Sequence, residues 1–270
     1  MIDIDVNKVA DIIRHVSDTI VMPAFKNLRP DAIRQKKPGD FVTDADEASE
    51  KALSAALKEY LPGSLVVGEE SVAKDKAVLE LLKDSRPVWI IDPIDGTRNY
   101  TEGREHFGIL VALVQNDVTQ YGWAYDAPGD RMAIAVKGQG ATINGVPAHI
   151  RTAAETPAEM HGMGGGAAPR YYDKVRAHFA EVTSLGSSLH DFLNIAAGHA
   201  DFVSHLNMTT PWDHSASVLL AQEAGAYVRM ADTDTDFTPS THRQAIILAA
   251  ADRRRWEMLR SILYPLMMIP

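Results

Sequence analysis

The chain has 270 residues, of which 36 are acidic and 27 are basic, so its formal net charge is −9. Hydrophobic residues make up 46% of the chain, and cysteine is absent. This length is sufficient for one large domain or two smaller ones, each with its own core. The absence of cysteine excludes disulfide scaffolds, thiolate nucleophiles and cysteine-ligated metal sites. The acidic balance argues against binding nucleic acid through basic groups, but it leaves phosphorylated small molecules open because bound metal ions can invert the local charge.

Neither end of the sequence has the features of a targeting or membrane segment. The first residues, Met1 to Asp5, lack the basic start and apolar run of a signal peptide. The apolar stretches are all shorter than the roughly 20 residues that span a bilayer. We therefore predict a cytoplasmic protein that has neither a membrane nor a nucleic acid as its partner.

The first half of the sequence predicts helices that flank a sheet. Apolar residues at helical spacing predict a helix over 6–28, and Thr43 or Asp44 can cap a second helix that ends at Tyr60. The next predicted elements are a buried strand over 65–67, a helix around 73–83, a buried strand over 88–91, and antiparallel strands over 108–114, 120–125 and 132–136. The pair Asn144-Gly145 predicts a hairpin turn, since both residues tolerate positive φ.

In the second half, predicted strands and helices alternate, which is typical of an α/β unit. The predicted elements are a strand over 182–185, a helix over 189–197, a strand at 202–203, a helix over 215–224, strands over 227–230 and 245–248, and a helix over 253–263. The glycine-rich run 162–166 predicts a loop that flanks the substrate pocket, and a helix is predicted to begin near Pro169. We predict an α/β protein with an α+β domain over 1–148 and an α/β domain over 149–270.

Carboxylates lie where several of these elements begin or end. Asp92 and Asp95 follow a buried strand directly, and neighbouring carboxylates raise each other's pKa unless a cation compensates their charge. Oxygen ligands of this kind, with the carbonyl of Ile94 between them, suit Mg²⁺. The alternative is a purely structural turn. For Asp44 and Asp46, capping of the following helix is the alternative to a role in a site.

Four segments of the sequence form an ordered set of motifs. They are Asp40 to Asp46 (D-F-V-T-D-A-D), Gly68-Glu69-Glu70-Ser71, Asp92-Pro93-Ile94-Asp95-Gly96-Thr97, and Pro211-Trp212-Asp213 followed by Glu223-Ala224-Gly225. In order and spacing they resemble the signatures of the inositol monophosphatase family, and the similarity covers nearly the whole chain. The stretches 186–188 and 197–201 also resemble the family.

This resemblance implies a layered αβαβα sandwich, the sugar-phosphatase fold, and a Mg²⁺-dependent, lithium-sensitive phosphomonoesterase that is commonly a homodimer. It implies two or three Mg²⁺ ions held by the side chains of Glu70, Asp92, Asp95 and Asp213 and by the carbonyl of Ile94. It implies catalytic roles in orienting and deprotonating water for Thr97, Asp46 and Glu70. It implies substrate contacts for Asp95, Gly96, Thr97, Gly186, Ser188, His205 and Asp213, with the N–H groups of Gly96 and Thr97 on the phosphate. The predicted substrate is a small phosphorylated metabolite such as inositol 1-phosphate.

Two departures from the family pattern concern the substrate. The third motif continues as Arg98-Asn99-Tyr100 instead of Thr-Asn-Phe, and the segment before Asp213 lacks the glutamate that binds ring hydroxyls in inositol-specific members. His205 or Asn207 can take the place of that glutamate. These departures leave open a histidinol-phosphate phosphatase, a fructose-1,6-bisphosphatase, a 3'(2'),5'-bisphosphate nucleotidase, or an inactive homologue that binds phosphorylated metabolites.

Other conspicuous residues carry weaker signals. The ten histidines are scattered without the spacing of a metal site, although His214 follows Asp213 directly. The run Arg253-Arg254-Arg255 predicts a solvated helix start.

Overall fold

The computed structural model describes residues 2–37, 40–165 and 174–267. Its main helices are α1 (Val6–Val16), α2 (Asp44–Tyr60), α3 (Glu69–Lys74), α4 (Thr97–Thr101), α5 (Ser188–Ala196), α6 (Pro211–Glu223) and α7 (Arg253–Met267). Its strands are β1 (Ile33–Lys37), β2 (Asp40–Thr43), β3 (Leu65–Gly68), β4 (Val88–Asp95), β5 (Gly108–Gln115), β6 (Val118–Asp126), β7 (Arg131–Val136), β8 (Gly140–Ile143), β9 (Val146–Pro147), β10 (His161–Gly165), β11 (Glu181–Thr183), β12 (Phe202–Thr209), β13 (Tyr227–Met230) and β14 (Arg243–Ala250).

The N-terminal helices form the outer layer over the first sheet. Helix α1 continues as a π-helical segment (Ser17–Val21) and a last helical turn (Met22–Ala24), so the predicted helix over 6–28 is present but irregular at its end. Helix α2 begins at Asp44 with Thr43 as its cap and ends at Tyr60, as predicted. Both helices pack on one face of the sheet.

The larger sheet has the strand order β3-β4-β5-β6-β7-β8-β9. Strands β3 and β4 are parallel, and every later neighbouring pair is antiparallel. Strand β4 is buried on both faces because successive side chains alternate: Trp89 joins the core under α1 and α2, and Ile90 joins the core on the opposite face. The predicted turn at Asn144-Gly145 joins β8 to β9, and both residues have positive φ.

Helices α5 and α6 form the middle layer between the two sheets. Leu189 and Leu219 pack against the larger sheet, and Phe192 and Val218 pack against the smaller one. Because both helices bury opposite faces, most of their residues are buried, including nine of the thirteen residues of α6. The N-terminus of α5 lies where β4 ends, since the N–H groups of Ser188 and Leu189 donate to Asp95, and α6 brings Asp213 to the same point.

The smaller sheet has the order β11-β10-β12-β14-β13, and α7 covers its outer face through Trp256, Leu259 and Leu263. The layers therefore run helix, sheet, helix, sheet, helix, which is the predicted αβαβα sandwich. The larger sheet ends at Pro147 and the smaller one begins at His161. The division into domains over 1–148 and 149–270 stays a prediction, since α6 packs on both sheets.

Three local predictions differ from the structure or fall outside it. The helix predicted around 73–83 is an α-helix over Glu69–Lys74 followed by a 3₁₀ helix over Lys76–Lys83. The predicted glycine loop 162–166 is strand β10 as far as Gly165, because residues without side chains can lie close to Phe202 on the neighbouring strand. Gly166 and the predicted helix start at Pro169 lie outside the described residues. Within the described part of the chain, every helix is too short or too polar to cross a bilayer.

Candidate metal centre

The candidate site lies where β4 ends and α4 begins. The pairing of β4 with β5 shifts between Asp92 and Asp95, and the backbone N–H of Ile94 donates to Asp92 over 3.1 Å. Gly96 then turns the chain with φ +85°, and a Cβ atom there would lie 2.7 Å from the carbonyl oxygen of His106. Only glycine fits this turn, which lets the two carboxylates leave the strand together and lets α4 begin at Thr97.

Three carboxylates meet at this point. One oxygen from each of Asp92, Asp95 and Asp213 lies within 4.8 Å of the others. Asp213 comes from the first turn of α6, where the hydroxyl of Thr210 donates to it. Burial, and then the neighbouring carboxylates, raise the pKa of Asp92, and burial and Asp95 raise the pKa of Asp213 to about 6. Among the described residues, these negative charges thus come together without an equal number of cations.

The donor set of this cluster fits a hard divalent cation. All the donors are carboxylate oxygens, with the carbonyl oxygen of Ile94 close by on the same turn, and Mg²⁺ prefers such oxygens. A cation would also remove the mutual repulsion that contributes to the raised pKa values of Asp92 and Asp213. The residues present therefore fit the metal that the sequence predicts.

The two adjacent glutamates of the second motif point to different surroundings. Glu69 interacts electrostatically with Asp213 and with Asp92, and burial is the main cause that raises its pKa. Glu70 instead faces Lys36, and the acids that act most strongly on its pKa are Glu50 and Glu47 of α2. These electrostatic contacts favour Glu69 over Glu70 as the glutamate of the carboxylate cluster. The sequence analysis expected Glu70, and that assignment stays a prediction.

The predicted catalytic pair Thr97 and Asp46 is brought together. The Thr97 hydroxyl lies 3.3 Å from one oxygen of Asp46 and 2.9 Å from the carbonyl oxygen of Ile94. Burial raises the pKa of Asp46 to about 7, against hydrogen bonds from Thr43 that lower it. The same Asp46 closes a capping box with Thr43, so the capping interpretation of this acid is correct as well.

The start of α5 holds Asp95 from the other side. The N–H groups of Ser188 and Leu189 donate to the two oxygens of Asp95 over 3.2 and 2.8 Å, and the Ser187 hydroxyl donates over 2.5 Å. The Ser188 hydroxyl donates to the carbonyl oxygen of Asp213. Gly186, with φ +71°, begins this turn. The predicted substrate contacts at 186 and 188 therefore lie beside the carboxylate cluster.

His205 lies on β12 near the same cluster. Its Nε2 atom is 3.0 Å from a carboxylate oxygen of Asp191, and its ring is 5.5 Å from that of His214. It is also close enough to Asp213 to lower the pKa of that acid electrostatically. The side chain of Asn207, the other candidate for the missing glutamate, is outside the described part of the structure.

A family model decides what this chain is related to. The model of the inositol monophosphatase family matches residues 6–264. The chain belongs to the inositol monophosphatase family.

Individual members of the family are similar along most of the chain. The Nus factor SuhB of Haemophilus influenzae is 31% identical over 248 residues, which cover 87% of each chain. The Thermotoga maritima IMPase has the same fold, with a TM-score of 0.83, 20% identity and 97% of each chain covered. An IMPase/NADP phosphatase solved with Mg²⁺ and phosphate has a TM-score of 0.78 at 18% identity, over 95% of this chain and 94% of that one.

Two residues of this protein that shape its candidate site were missed in the sequence analysis. Lys36 on β1 donates to Glu69 over 2.8 Å and to Glu70 over 2.7 Å. Glu50 on α2 accepts from the N–H groups of Glu70 and Ser71 over 2.6 and 2.9 Å, and so caps α3. A Cβ atom at Gly68 would overlap the Glu50 carboxyl group. An acid on the apolar side of a helix is the signal that could have revealed Glu50.

Proposed function

We propose that this protein is a Mg²⁺-dependent phosphomonoesterase that hydrolyses a small phosphorylated metabolite. The observation that carries the proposal is the cluster of Asp92, Asp95 and Asp213, with one oxygen of each within 4.8 Å of the others, at the end of β4. The hydrogen-bonded pair of Thr97 and Asp46 lies at the start of the adjoining helix. A cation site beside a hydroxyl and a carboxylate is the arrangement that hydrolysis by an activated water molecule requires.

The residues that would hold Mg²⁺ are the side chains of Asp92, Asp95 and Asp213, the carbonyl of Ile94 and the side chain of Glu69. Glu69 replaces the expected Glu70 because of its electrostatic interaction with Asp92 and Asp213. When bound, the metal would neutralise the charge of the phosphate and lower the pKa of a water molecule.

The protein's own groups would orient that water and take its proton. The Thr97 hydroxyl, fixed on Asp46 and on the carbonyl of Ile94, can position a water molecule, and Asp46 can accept the proton. An acid whose pKa is raised to about 7 is suited to a base near neutral pH. Glu70 interacts electrostatically with Asp46 and would tune this base without holding the metal. The N–H groups of Gly96 and Thr97 are the proposed phosphate contacts.

The substrate is proposed only as a class. His205, paired with Asp191, belongs to the segment before Asp213 that lacks the ring-binding glutamate. Inositol phosphates therefore compete as substrates with histidinol phosphate, fructose 1,6-bisphosphate and 3'(2'),5'-bisphosphate nucleotides. A panel of these compounds at fixed Mg²⁺, ranked by kcat/KM, would decide among them. A His205→Ala variant should change the ranking if this residue contacts the substrate.

The activity itself is tested by phosphate release from that panel with and without Mg²⁺. We expect release that requires Mg²⁺, stops with a chelator, and is lost in Asp213→Asn while the fold is kept. The matched control is Glu59→Gln, because Glu59 is an exposed acid of α2 away from the site. No phosphate release above background from any substrate would contradict the proposal and favour the inactive binding homologue.

The relative named Nus factor SuhB favours a second candidate, a role as a Nus factor. Its 31% identity over most of the chain is the observation behind it. A transcription assay with added protein tests it, and an effect that survives in Asp213→Asn would separate this role from phosphatase activity. Lithium sensitivity, a homodimer and a cytoplasmic location stay predictions carried over from the family resemblance.

A further inference from the structure

A buried chain of hydrogen bonds leads from Asp95 into the protein. The Ser187 hydroxyl is 2.5 Å from Oδ2 of Asp95 and 2.9 Å from Nδ1 of His190. Nε2 of His190 is 3.3 Å from Oδ1 of Asp126 at the end of β6. The other oxygen of Asp126 accepts from Nε of Arg131 over 2.7 Å. Each ring nitrogen of His190 thus faces one polar group.

The supply of protons in this chain fixes the direction of each hydrogen bond. Ser187 has one hydroxyl proton, and an ionised Asp95 can only accept it. The oxygen of Ser187 must then accept from Nδ1 of His190. With Asp95 ionised, the arrangement therefore requires a proton on Nδ1 of His190.

The surroundings of His190 hold its ring in place. The side chain is 1% exposed, and Asp126 is the carboxylate it contacts. Burial alone would raise the pKa of Asp126, but hydrogen bonds from His190 and Arg131 outweigh burial, so this pKa lies below its usual value. Among the described residues, His106 also faces the ring of His190, with its own ring 5.3 Å away in an edge-on arrangement.

We propose that His190 is a positioning residue: its Nδ1–H donates to the Ser187 oxygen, which directs the hydroxyl proton of Ser187 onto Asp95 and so holds that carboxylate ready for a cation. If His190 were instead an acceptor, the proton of Ser187 would point to it, and an ionised Asp95 would face the Ser187 oxygen over 2.5 Å without a proton between them. The link to metal binding rests on the proposed function. The proton on Nδ1 is tested independently of that function.

The first experiment measures the protonation of Nδ1 of His190 directly. In ¹⁵N-labelled wild-type protein near neutral pH, with and without Mg²⁺, we expect Nδ1 of His190 to carry a proton. The signal is assigned by its loss in His190→Asn. A bare Nδ1 on His190 in the Mg²⁺-loaded protein would overturn the proposal.

The second experiment measures Mg²⁺ binding by calorimetry. Loss of groups that orient a metal ligand weakens metal binding by about 10–100-fold, so Ser187→Ala and His190→Leu should each raise the Kd for Mg²⁺ by about 10-fold or more. The double variant should bind Mg²⁺ no more weakly than Ser187→Ala, because both changes interrupt the same chain of hydrogen bonds. His190→Asn keeps an N–H donor for Ser187 and should recover part of the affinity.

The controls separate this proposal from the proposed function. His199→Gln changes an exposed histidine outside the chain of hydrogen bonds and should bind Mg²⁺ like the wild type. Wild-type protein that binds no Mg²⁺ would contradict the proposed function, while the protonation of His190 would still be decided by the first experiment. A wild-type Kd in folded His190→Leu, or a double variant as weak as two independent losses, would contradict positioning. If His190→Leu does not fold, a wild-type Kd in Ser187→Ala is the contradicting result.

Discussion

The acids of the candidate metal centre and the buried Asp201 of the C-terminal half have opposite surroundings. At the candidate metal centre, Asp92, Asp95 and Asp213 face one another. Asp201 forms a two-pronged ion pair with Arg151 and also accepts from the N–H groups of Ala154 and His161. Among the described residues, the acids of the metal centre lack positive partners that match their charge, whereas both carboxylate oxygens of Asp201 accept hydrogen bonds.

For this reason the pKa values of Asp92 and Asp213 are raised, whereas that of Asp201 is lowered. Burial and neighbouring carboxylates raise the pKa of Asp92, whereas for Asp201 hydrogen bonds from Arg151 and two backbone groups outweigh burial and lower the pKa. A buried acid with a lowered pKa stabilises the fold, while a cluster with raised pKa values costs stability until a cation arrives. The contrast distinguishes structural acids from acids that serve a ligand.

The largest expected effect separates the two adjacent glutamates. Glu69→Gln removes a carboxylate that interacts with the metal centre. We expect kcat/KM to fall by about a thousandfold, which corresponds to a loss of several kcal/mol of transition-state stabilisation by the metal. Glu70→Gln should lower the rate by about tenfold or less, since this residue acts on Asp46 only electrostatically. Phosphate release under saturating Mg²⁺ measures both.

The matched measurement is the Kd for Mg²⁺ of the two variants. Weaker binding in Glu69→Gln with near-wild-type binding in Glu70→Gln is the expected pattern. The reverse pattern would restore the assignment that the sequence analysis made for Glu70.

A smaller effect comes from the pH dependence of the metal-free protein. The protonated form of Asp92 contributes stability that is present below pH 3.8 and is lost as the pH rises through its higher folded pKa. In chelator, the free energy of unfolding should therefore fall as the pH rises through the folded pKa of Asp92, and Asp92→Asn should be more stable than the wild type above it. Added Mg²⁺ should reverse the order of stability, so that the wild type becomes more stable than Asp92→Asn.

The counterpart of this variant is Asp201→Asn. The lowered pKa of Asp201 contributes stability that is present above pH 3.8 and is lost as the pH falls through the folded pKa. At neutral pH the variant should lose about 1–3 kcal/mol, the cost of an unsatisfied buried partner, with or without Mg²⁺. Urea unfolding at several pH values measures both variants, and shifts of the same sign in both would refute the contrast between the two groups.

The sequence could predict those parts of the site that depend on local geometry. The turn of Asp92 to Thr97 and the cap at Thr43 follow from a few neighbouring residues, and both are where they were expected. The choice between Glu69 and Glu70 depends on how α3 is rotated. That rotation is set by Glu50, which lies about 20 residues earlier in the chain and caps this helix.

Long-range contacts could not be predicted from the sequence either, because they depend on residues that are far apart in the chain. His190 and Asp126 come from different layers of the sandwich, and nothing near either residue in the sequence indicates the other. The π-helical end of α1 and the 3₁₀ helix over Lys76–Lys83 also keep the apolar pattern of an α-helix while their hydrogen bonds differ.

The smallest effect concerns the three arginines at the start of α7, which the sequence predicted to be solvated. Arg255 is 8% exposed and donates to the carbonyl oxygens of Ala153 and Ala154, so for this residue the prediction is wrong. The cause is the loop before β10, which lies against the helix and needs donors for its carbonyl groups. Arg254 instead forms an exposed ion pair with Glu155, as a solvated helix start would.

We expect Arg255→Gln to lower the free energy of unfolding by about 1–2 kcal/mol, because it leaves buried carbonyl groups without donors. Arg254→Gln is the matched control and should leave the urea midpoint unchanged, since exposed ion pairs contribute little. Neither variant should alter the Kd for Mg²⁺, because both residues lie in the C-terminal half with Asp201 and not at the metal centre. A changed Kd in folded Arg255→Gln would mean that the two regions are coupled, and equal urea midpoints of the two variants would mean that burial of Arg255 contributes no stability.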